Sequence, residues 1–208
     1  MLQHDKKHFL FKRIKDGQRA RLLLDEEALY STTDQITAEK IANTVLELVG
    51  RHAVVIDATA CIGGSALSFA NTFDKVIAIE KDPVRFRYLE HNITVLDLRP
   101  QVACVNADLI DECPKYKSDV IFIDPPWGGP EYKTAKHVSL FLSNQPLASV
   151  CCALIQHTRY LVIKVPTNFD EESFVADTKD VLTLHSKNTK LRKMILLILR
   201  AASAASAV

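Results

Sequence analysis

The segment DVIFIDPPWGGPEYK, residues 119–133, sets an acid and a flat aromatic on either side of a stiff corner. Asp124 is followed by Pro125, Pro126 and Trp127, the only tryptophan in the 208 residues. Proline has a fixed φ and no N–H. The corner therefore presents acceptors only, the Asp124 carboxylate and the Pro125 carbonyl. Two acceptors suit a planar NH2 group whose lone pair is delocalised into a ring. They hold its two hydrogens, favour pyramidalisation as an electrophilic carbon arrives, and let Asp124 stabilise positive charge developing on nitrogen. Trp127 can stack on the ring and fix its plane. Taken alone, DPPW also reads as a stiff β-turn beside a buried indole.

A second set of residues lies upstream. In VVIDATACIGGSALSFA, residues 54–70, Asp57 ends an apolar run and Gly63-Gly64 precede a helical stretch. Glycines there let the backbone come close to a ligand. The next apolar run, KVIAIE (75–80), ends in Glu80, where an acid can take both hydroxyls of a ribose. After VACVN (102–106), Asp108 reaches the same edge. A dinucleotide site asks for G-x-G-x-x-G. That pattern is missing, and Asp57 would repel a pyrophosphate. Three acids at successive strand ends suit a ligand with a cationic centre, an ammonium group and a ribose. S-adenosylmethionine has all three and is the expected cofactor. The residues expected to hold it are Thr37, Asp57, Thr59, Gly63, Gly64, Ser65, Glu80, Lys81, Asp108, Leu109 and Asp124. A plain strand-to-helix turn is the alternative for Gly63-Gly64 on their own.

These positions need a scaffold of alternating elements. Apolar runs predict strands over 53–58, 75–80, 102–106, 119–124, 159–165, 181–186 and 193–200. Helices are expected over 37–50 with Thr37 as N-cap, over 64–73, over 83–96 opened by Pro83, and over 171–179; 134–145 reads as weakly helical. The fold class is then α/β: a Rossmann-like, mostly parallel seven-stranded sheet covered on both faces, with an antiparallel last strand. Residues 1–35 form a basic, then acidic, helical appendage with a turn at Asp16-Gly17; 36–200 form the main domain; 201–208 are a low-complexity tail. On charge alone the appendage is a solvated helical face.

Bulk properties narrow the function. A net charge of +1 and a pI of about 7.7 argue against coating a nucleic-acid duplex, though not against a short anion met by a local basic cluster. Five cysteines without a C-x-x-C pair suggest reduced thiols in an intracellular compartment, nucleus or cytoplasm, and no zinc. No apolar run is long enough for a membrane span, and the N-terminus is not a secretory signal. A monomer is expected.

The string PPWGGPEY, residues 125–132, resembles the trimethylguanosine synthase family of RNA cap guanine-N2 methyltransferases, which usually read SPPWGGP(D/E)Y. LFKRIKDG (10–17), ITAEKIA (36–42), the cofactor loop (57–70), VIAIEKDPV (76–84), VPTNFD (165–170) and NTKLRK (188–193) resemble other segments of the same family. The resemblance implies a class I S-adenosylmethionine-dependent methyltransferase acting on 5′-capped RNA. It implies that Trp127 stacks on 7-methylguanine, a cationic base, which adds about 0.5–2 kcal/mol to ordinary stacking. It also implies that Tyr132, Lys190, Arg192 and appendage cations such as Lys7 and Lys12 lie near the cap phosphates, with Gly128 and Asn168 completing the substrate site. Three positions depart from the family. Asp124 stands where serine is common, Thr167 replaces an arginine, and Cys61 replaces a glycine, which requires a backbone conformation comfortable for an L-residue.

Together these residues predict methyl transfer to the 2-amino group of the 7-methylguanosine cap. Asp124, Pro125, Pro126 and Trp127 form the transfer corner, with no metal and no covalent intermediate. A methyltransferase acting on the 6-amino group of adenine, which also favours DPPW, is one rival. A catalytically silent cap- or RNA-binding subunit is another.

Overall fold

The computed structural model describes residues 3–189, 191 and 193–202. Seven strands form one sheet: β1 Val54–Asp57, β2 Lys75–Glu80, β3 Val102–Asn106, β4 Ser118–Ile123, β5 Thr158–Pro166, β6 Leu182–Asn188 and β7 Met194–Ala201. Their order is β3-β2-β1-β4-β5-β7-β6. All neighbours are parallel except β7, which runs antiparallel to both β5 and β6. The expected α/β class and antiparallel finish are both present.

Burial explains why β1 and β4 carry almost unbroken apolar runs. They are central strands covered on both faces, so alternation would bury polar groups. On one face lie α4 (Gln35–Val49), α5 (Gly64–Ala70) and α6 (Pro83–Val95), packed through Ile41, Phe69 and Ile93. Phe69 meets Phe122 of β4 edge-on, with centroids 5.3 Å apart. On the other face lie the short α7 (Leu109–Glu112), α8 (Leu147–Leu154) and α9 (Glu171–Thr178), packed through Leu109, Leu154 and Phe174. Because β2 and β3 extend to one side of β1 while β4 lies on its other side, the sheet's switch point falls between β1 and β4.

The N-terminal segment is integral to this packing. It contains three short helices, α1 (Gln3–Leu10), α2 (Asp16–Arg21) and α3 (Ala28–Ser31). Leu10, Phe11 and Leu22 are buried in the core. Asn92, wholly buried in α6, stitches the segment down: its side chain exchanges bonds of 2.7 and 2.9 Å with the Leu23 backbone and donates to the Ile62 carbonyl at 3.0 Å. A solvated helical face, the reading on charge alone, is therefore replaced by a docked one.

Four local expectations are corrected. Asp16 and Gly17 begin α2 rather than form a turn. The N-cap of α4 is Asp34, whose carboxylate accepts from the Thr37 N–H; Thr37 itself lies in the first turn. Residues 134–145 are not helical. They end in a hairpin, Phe141–Leu142 paired with Gln145–Pro146, whose turn residues Ser143 and Asn144 both have positive φ, as two-residue hairpin loops require. The helix comes later, as α8, entered through Pro146. Finally, β7 continues through Ala201, and the Ala202 N–H bonds the Val181 carbonyl at 2.8 Å, so the chain stays ordered past the expected start of the tail. No described helix is long and apolar enough to cross a membrane.

Two glycines make opposite predictions. A Cβ on Gly64 would stand 2.5 Å from Thr32 Cγ2 and 2.9 Å from the Thr33 carbonyl oxygen, whereas a Cβ on Gly17, inside α2, meets nothing within 4 Å. Gly64→Ala should cost about 1–3 kcal/mol through overpacking. Gly17→Ala should stabilise by about 0.4–1 kcal/mol. Thermal melts check both, at roughly 2–4 °C per kcal/mol for a chain of this size. A neutral Gly64→Ala would refute the close approach.

Candidate active site

The transfer corner begins where β4 ends. The β1–β4 register pairs Asp57 with Phe122, which brings Asp57 and Asp124 to the same sheet edge. Thr59 links them: its N–H reaches Asp57 Oδ1 at 3.4 Å, and its hydroxyl accepts the Asp124 N–H at 2.8 Å. A narrow cavity between these strand ends is lined by Asp57, Thr59, Cys61, Ser65, Thr33 and Asp124, among others.

Asp57 is 1% exposed, and its Oδ2 is buried without a hydrogen-bond partner. Burial pushes its carboxyl up to about 7, with Asp124 and Glu80 adding to the rise. An unpaired buried acceptor is costly unless a ligand donor meets it. The primary ammonium of S-adenosylmethionine is such a donor, so the chemistry of this end of the cavity fits the cofactor. Glu80 is raised by burial. Its two oxygens accept from the backbone N–H groups of Cys61 and Asp82, each at 2.8 Å, which aims the carboxylate and leaves lone pairs for ribose hydroxyls.

Asp108 is more occupied than the sequence suggests. It caps α7 through the Ile110 N–H, pairs with Lys81 Nζ at 2.7 Å and accepts from the Ser143 hydroxyl of the hairpin at 2.6 Å. Burial pushes its carboxyl up, but these partners outweigh it and hold it below the usual range. Lys81 is thus tied to Asp108, and Leu109 is buried at the start of α7. Ser65 is buried in α5 and lines the cavity. Thr37 is bound to Asp34 and does not line it.

The glycines differ in what selects them. Gly63 opens α5 with φ 103°, a conformation glycine adopts freely. Gly64 lines the cavity, and Thr32 and Thr33 pack so closely beside it that a Cβ would not fit. Gly128 and Gly129 have φ 84° and 77°, a backbone conformation that favours glycine, and a Cβ on Gly128 would meet no protein atom within 4 Å. Cys61 also corrects an expectation. Its φ is 50°, a left-handed conformation that costs a non-glycine residue about 1–2 kcal/mol. The bond from its N–H to Glu80 holds it there.

Around Asp124 the sequence missed two partners. Lys164, on β5 and 4% exposed, bonds Asp124 Oδ2, and its Nζ donates to the Thr33 hydroxyl at 2.6 Å. That hydroxyl in turn donates to Asp124 Oδ2 at 3.2 Å. Both side-chain bonds to Asp124 fall on Oδ2, and among the described residues none reaches Oδ1. Burial raises the Asp124 carboxyl, opposed by Lys164 and Thr33. The one available signal for Lys164 is a lysine inside the apolar run YLVIKVP. Pro125 is buried and Pro126 exposed.

Trp127 is half-buried, with Lys164 Nζ 5.3 Å from its ring centroid and Tyr132 edge-on at 5.1 Å. Its Nε1 is buried without a partner. Asn168 anchors the loop behind Tyr132, donating to the Tyr132 and Ala135 carbonyls at 2.7 and 2.8 Å. Its amide nitrogen therefore holds the loop. Lys7 is likewise engaged: its Nζ binds the Ala20 and Leu22 carbonyls at 3.0 and 2.6 Å, and burial lowers its pKa, with Arg19 adding to the effect. Lys12 is exposed. Lys190 and Arg192 lie outside the described residues.

An order of 3-2-1-4-5-7-6, with acids closing β1 and β2 beside an acceptor-only corner after β4, defines a Rossmann-like methyltransferase that draws its methyl group from S-adenosylmethionine. The sequence model of the RNA cap guanine-N2 methyltransferases matches residues 52–199, and the chain belongs to that family. An uncharacterized protein of Acanthamoeba polyphaga mimivirus is 27% identical over 85% of this chain and 79% of its own length. The trimethylguanosine synthase of Schizosaccharomyces pombe is 31% identical over 59% of this chain. The match spans only 52% of that yeast protein. Among solved structures, one from Pyrococcus horikoshii aligns with 97% of this chain and 100% of its own at a TM-score of 0.65 and 12% identity. Trm5b of Pyrococcus abyssi aligns with 88% of this chain and 51% of its own, at a TM-score of 0.54 and 14% identity. Both share the fold.

The raised Asp57 carboxyl has a pH signature. Its folded pKa, about 7, lies above the ordinary 3.8. The free protein therefore gains stability from this group below that ordinary value and loses it as pH rises through about 7. Asp57→Asn should melt higher than wild type at pH ~8, and the gap should narrow steadily as pH falls toward ~4. Binding of S-adenosylhomocysteine runs the other way, because its ammonium needs the ionised carboxylate. Calorimetric affinity should rise with pH through this window in wild type and stay flat in Asp57→Asn.

Proposed function

We propose that the protein transfers a methyl group to the exocyclic 2-amino group of the 7-methylguanosine cap of RNA, forming di- or trimethylguanosine. The observation that carries the reading is the acceptor-only corner beside an aromatic platform: Asp124 Oδ1 without a partner among the described residues, a prolyl carbonyl next to it, and Trp127 alongside. Membership of the cap guanine-N2 family supports it.

S-adenosylmethionine supplies an electrophilic methyl on a sulfonium, whose sulfur takes the bonding pair as the new N–C bond forms. The chain's residues do the positioning. Asp57 receives the ammonium and Glu80 the ribose, which directs the methyl toward the end of β4. Asp124 and the Pro125 carbonyl hold the two amine hydrogens and stabilise the charge that develops on nitrogen. Trp127 stacks on the base, and a cationic 7-methylguanine gains more from an indole than a neutral purine does. Its unpartnered N–H offers a donor to an acceptor on the substrate. Tyr132, with Lys12, Lys190 and Arg192, is assigned to the cap phosphates. Thr167, where an arginine is common, leaves this side less cationic.

Because Trp127 is the only tryptophan, its fluorescence reports the platform alone. 7-Methyl-GTP should quench it far more than GTP or ATP; equal quenching by all three would refute the cap reading and favour the adenine one. Incubation with capped RNA and cofactor should add one or two methyl masses to the cap. Asp124→Ala should lower turnover by about 10²-fold or more while leaving S-adenosylhomocysteine affinity nearly intact. Binding of the cap without any transfer in wild type would indicate a silent subunit.

A further inference from the structure

Lys164 is a lysine where the sheet asks for an apolar residue. It lies in YLVIKVP on β5, a strand flanked by β4 and β7, and is 4% exposed. Its Nζ spends two bonds on Asp124 Oδ2 and Thr33 Oγ1 and stands beside the Trp127 ring. A buried ion pair is weak support for a fold, since apolar residues of similar volume often serve as well or better. Its presence at this position therefore asks for a reason in the chemistry.

The groups around Asp124 supply one. Lys164 faces it from β5, Thr33 from the segment before α4, and Thr59 from the end of β1. Asp57 stands beside it on β1, with Glu80 of β2 beyond. Burial favours the protonated carboxyl. A protonated Asp124 would bring an O–H donor to an amine that has only donors to offer. Only the carboxylate is a pure acceptor. Among the described residues, Lys164 is the cation in direct contact with it.

We infer that Lys164 is a positioning residue of the transfer site, keeping Asp124 ionised and holding it through Oδ2 so that Oδ1 accepts from the amine. The inference rests on the reading of Asp124 as the amine's acceptor. The neutral sum of the pair has a second effect: a cationic base and a sulfonium can approach without meeting a bare ammonium. Remove either partner and the other becomes a fault. An unpaired Asp124 takes a proton, and an unpaired Lys164 repels the cations that the site must bring together.

Two experiments test this. In the first, Asp124 is followed by carbon-13 NMR of the labelled carboxyl in the free protein, with no RNA present. Lys164→Met should move its titration upward by roughly one pH unit or more. An unmoved titration would overturn the inference whether or not capped RNA is a substrate. The second measures transfer to capped RNA. Lys164→Met should shift the acid limb of the kcat profile to higher pH while the KM for capped RNA changes little. Asp124→Ser should lose transfer, and adding Lys164→Met to it should restore at least about tenfold of the loss, because the stranded ammonium is gone. A purely structural lysine predicts the reverse, a double variant worse than Asp124→Ser, and that result would overturn the inference even if Lys164→Met alone fails to fold. Wild-type protein inert on capped RNA, with the NMR shift present, would defeat the cap reading and leave the role of Lys164 standing.

Discussion

A buried carboxylate at the end of a central strand must be answered by something, and here the answer is the ion pair between Asp124 and Lys164. The two residues leave adjacent parallel strands, β4 and β5, and meet above the sheet edge. Neither charge is tolerable there alone, because each would carry a desolvation cost of several kcal/mol with no compensation. The pairing fixes which oxygen of Asp124 is spent and which remains. It also brings Thr33, more than ninety positions away from Asp124's own strand turn in chain terms, to the same atom. Strand order, the docked N-terminal segment and the transfer corner all converge on that oxygen.

The rest of the site follows a similar economy of acids. Asp57 is left with an unmatched oxygen, Glu80 is aimed by two backbone N–H groups, and Asp108 is neutralised by Lys81 and covered by Ser143. Three acids that look alike in sequence therefore have three electrostatic states. Asp108 is the most heavily bonded of the three. Asp108 serves mainly to close α7 and fasten the hairpin across that part of the edge.

Much of the scaffold was legible in the sequence because it depends on local pattern. Seven apolar runs gave seven strands, and the acids at their ends gave the edge. The DPPW corner announced acceptors without donors. What could not be read depends on contacts between distant segments. Lys164 looks like an irregularity in an apolar run until its partner, 40 positions earlier, is known. Asn168 gives no hint that its amide fastens the Tyr132 loop. Gly64 gives no hint that Thr32 and Thr33 pack against it. The hairpin at 141–146 escaped because Ser-Asn, rather than a glycine, occupies its left-handed turn. In each case the residue type was informative and its partner was not.

The strap of Ser31, Thr32 and Thr33 carries a consequence for how this protein can be divided. A boundary between residues 35 and 36 separates appendage from domain in the sequence, yet it cuts through the site's own wall. Thr33 holds the acceptor carboxylate, Thr32 crowds the first turn of α5, and Asp34 caps α4. A fragment beginning at residue 36 would keep every strand of the sheet and still lose one side of its reaction chamber. Chimeras that exchange N-terminal segments between relatives would therefore exchange part of the catalytic enclosure, not an accessory.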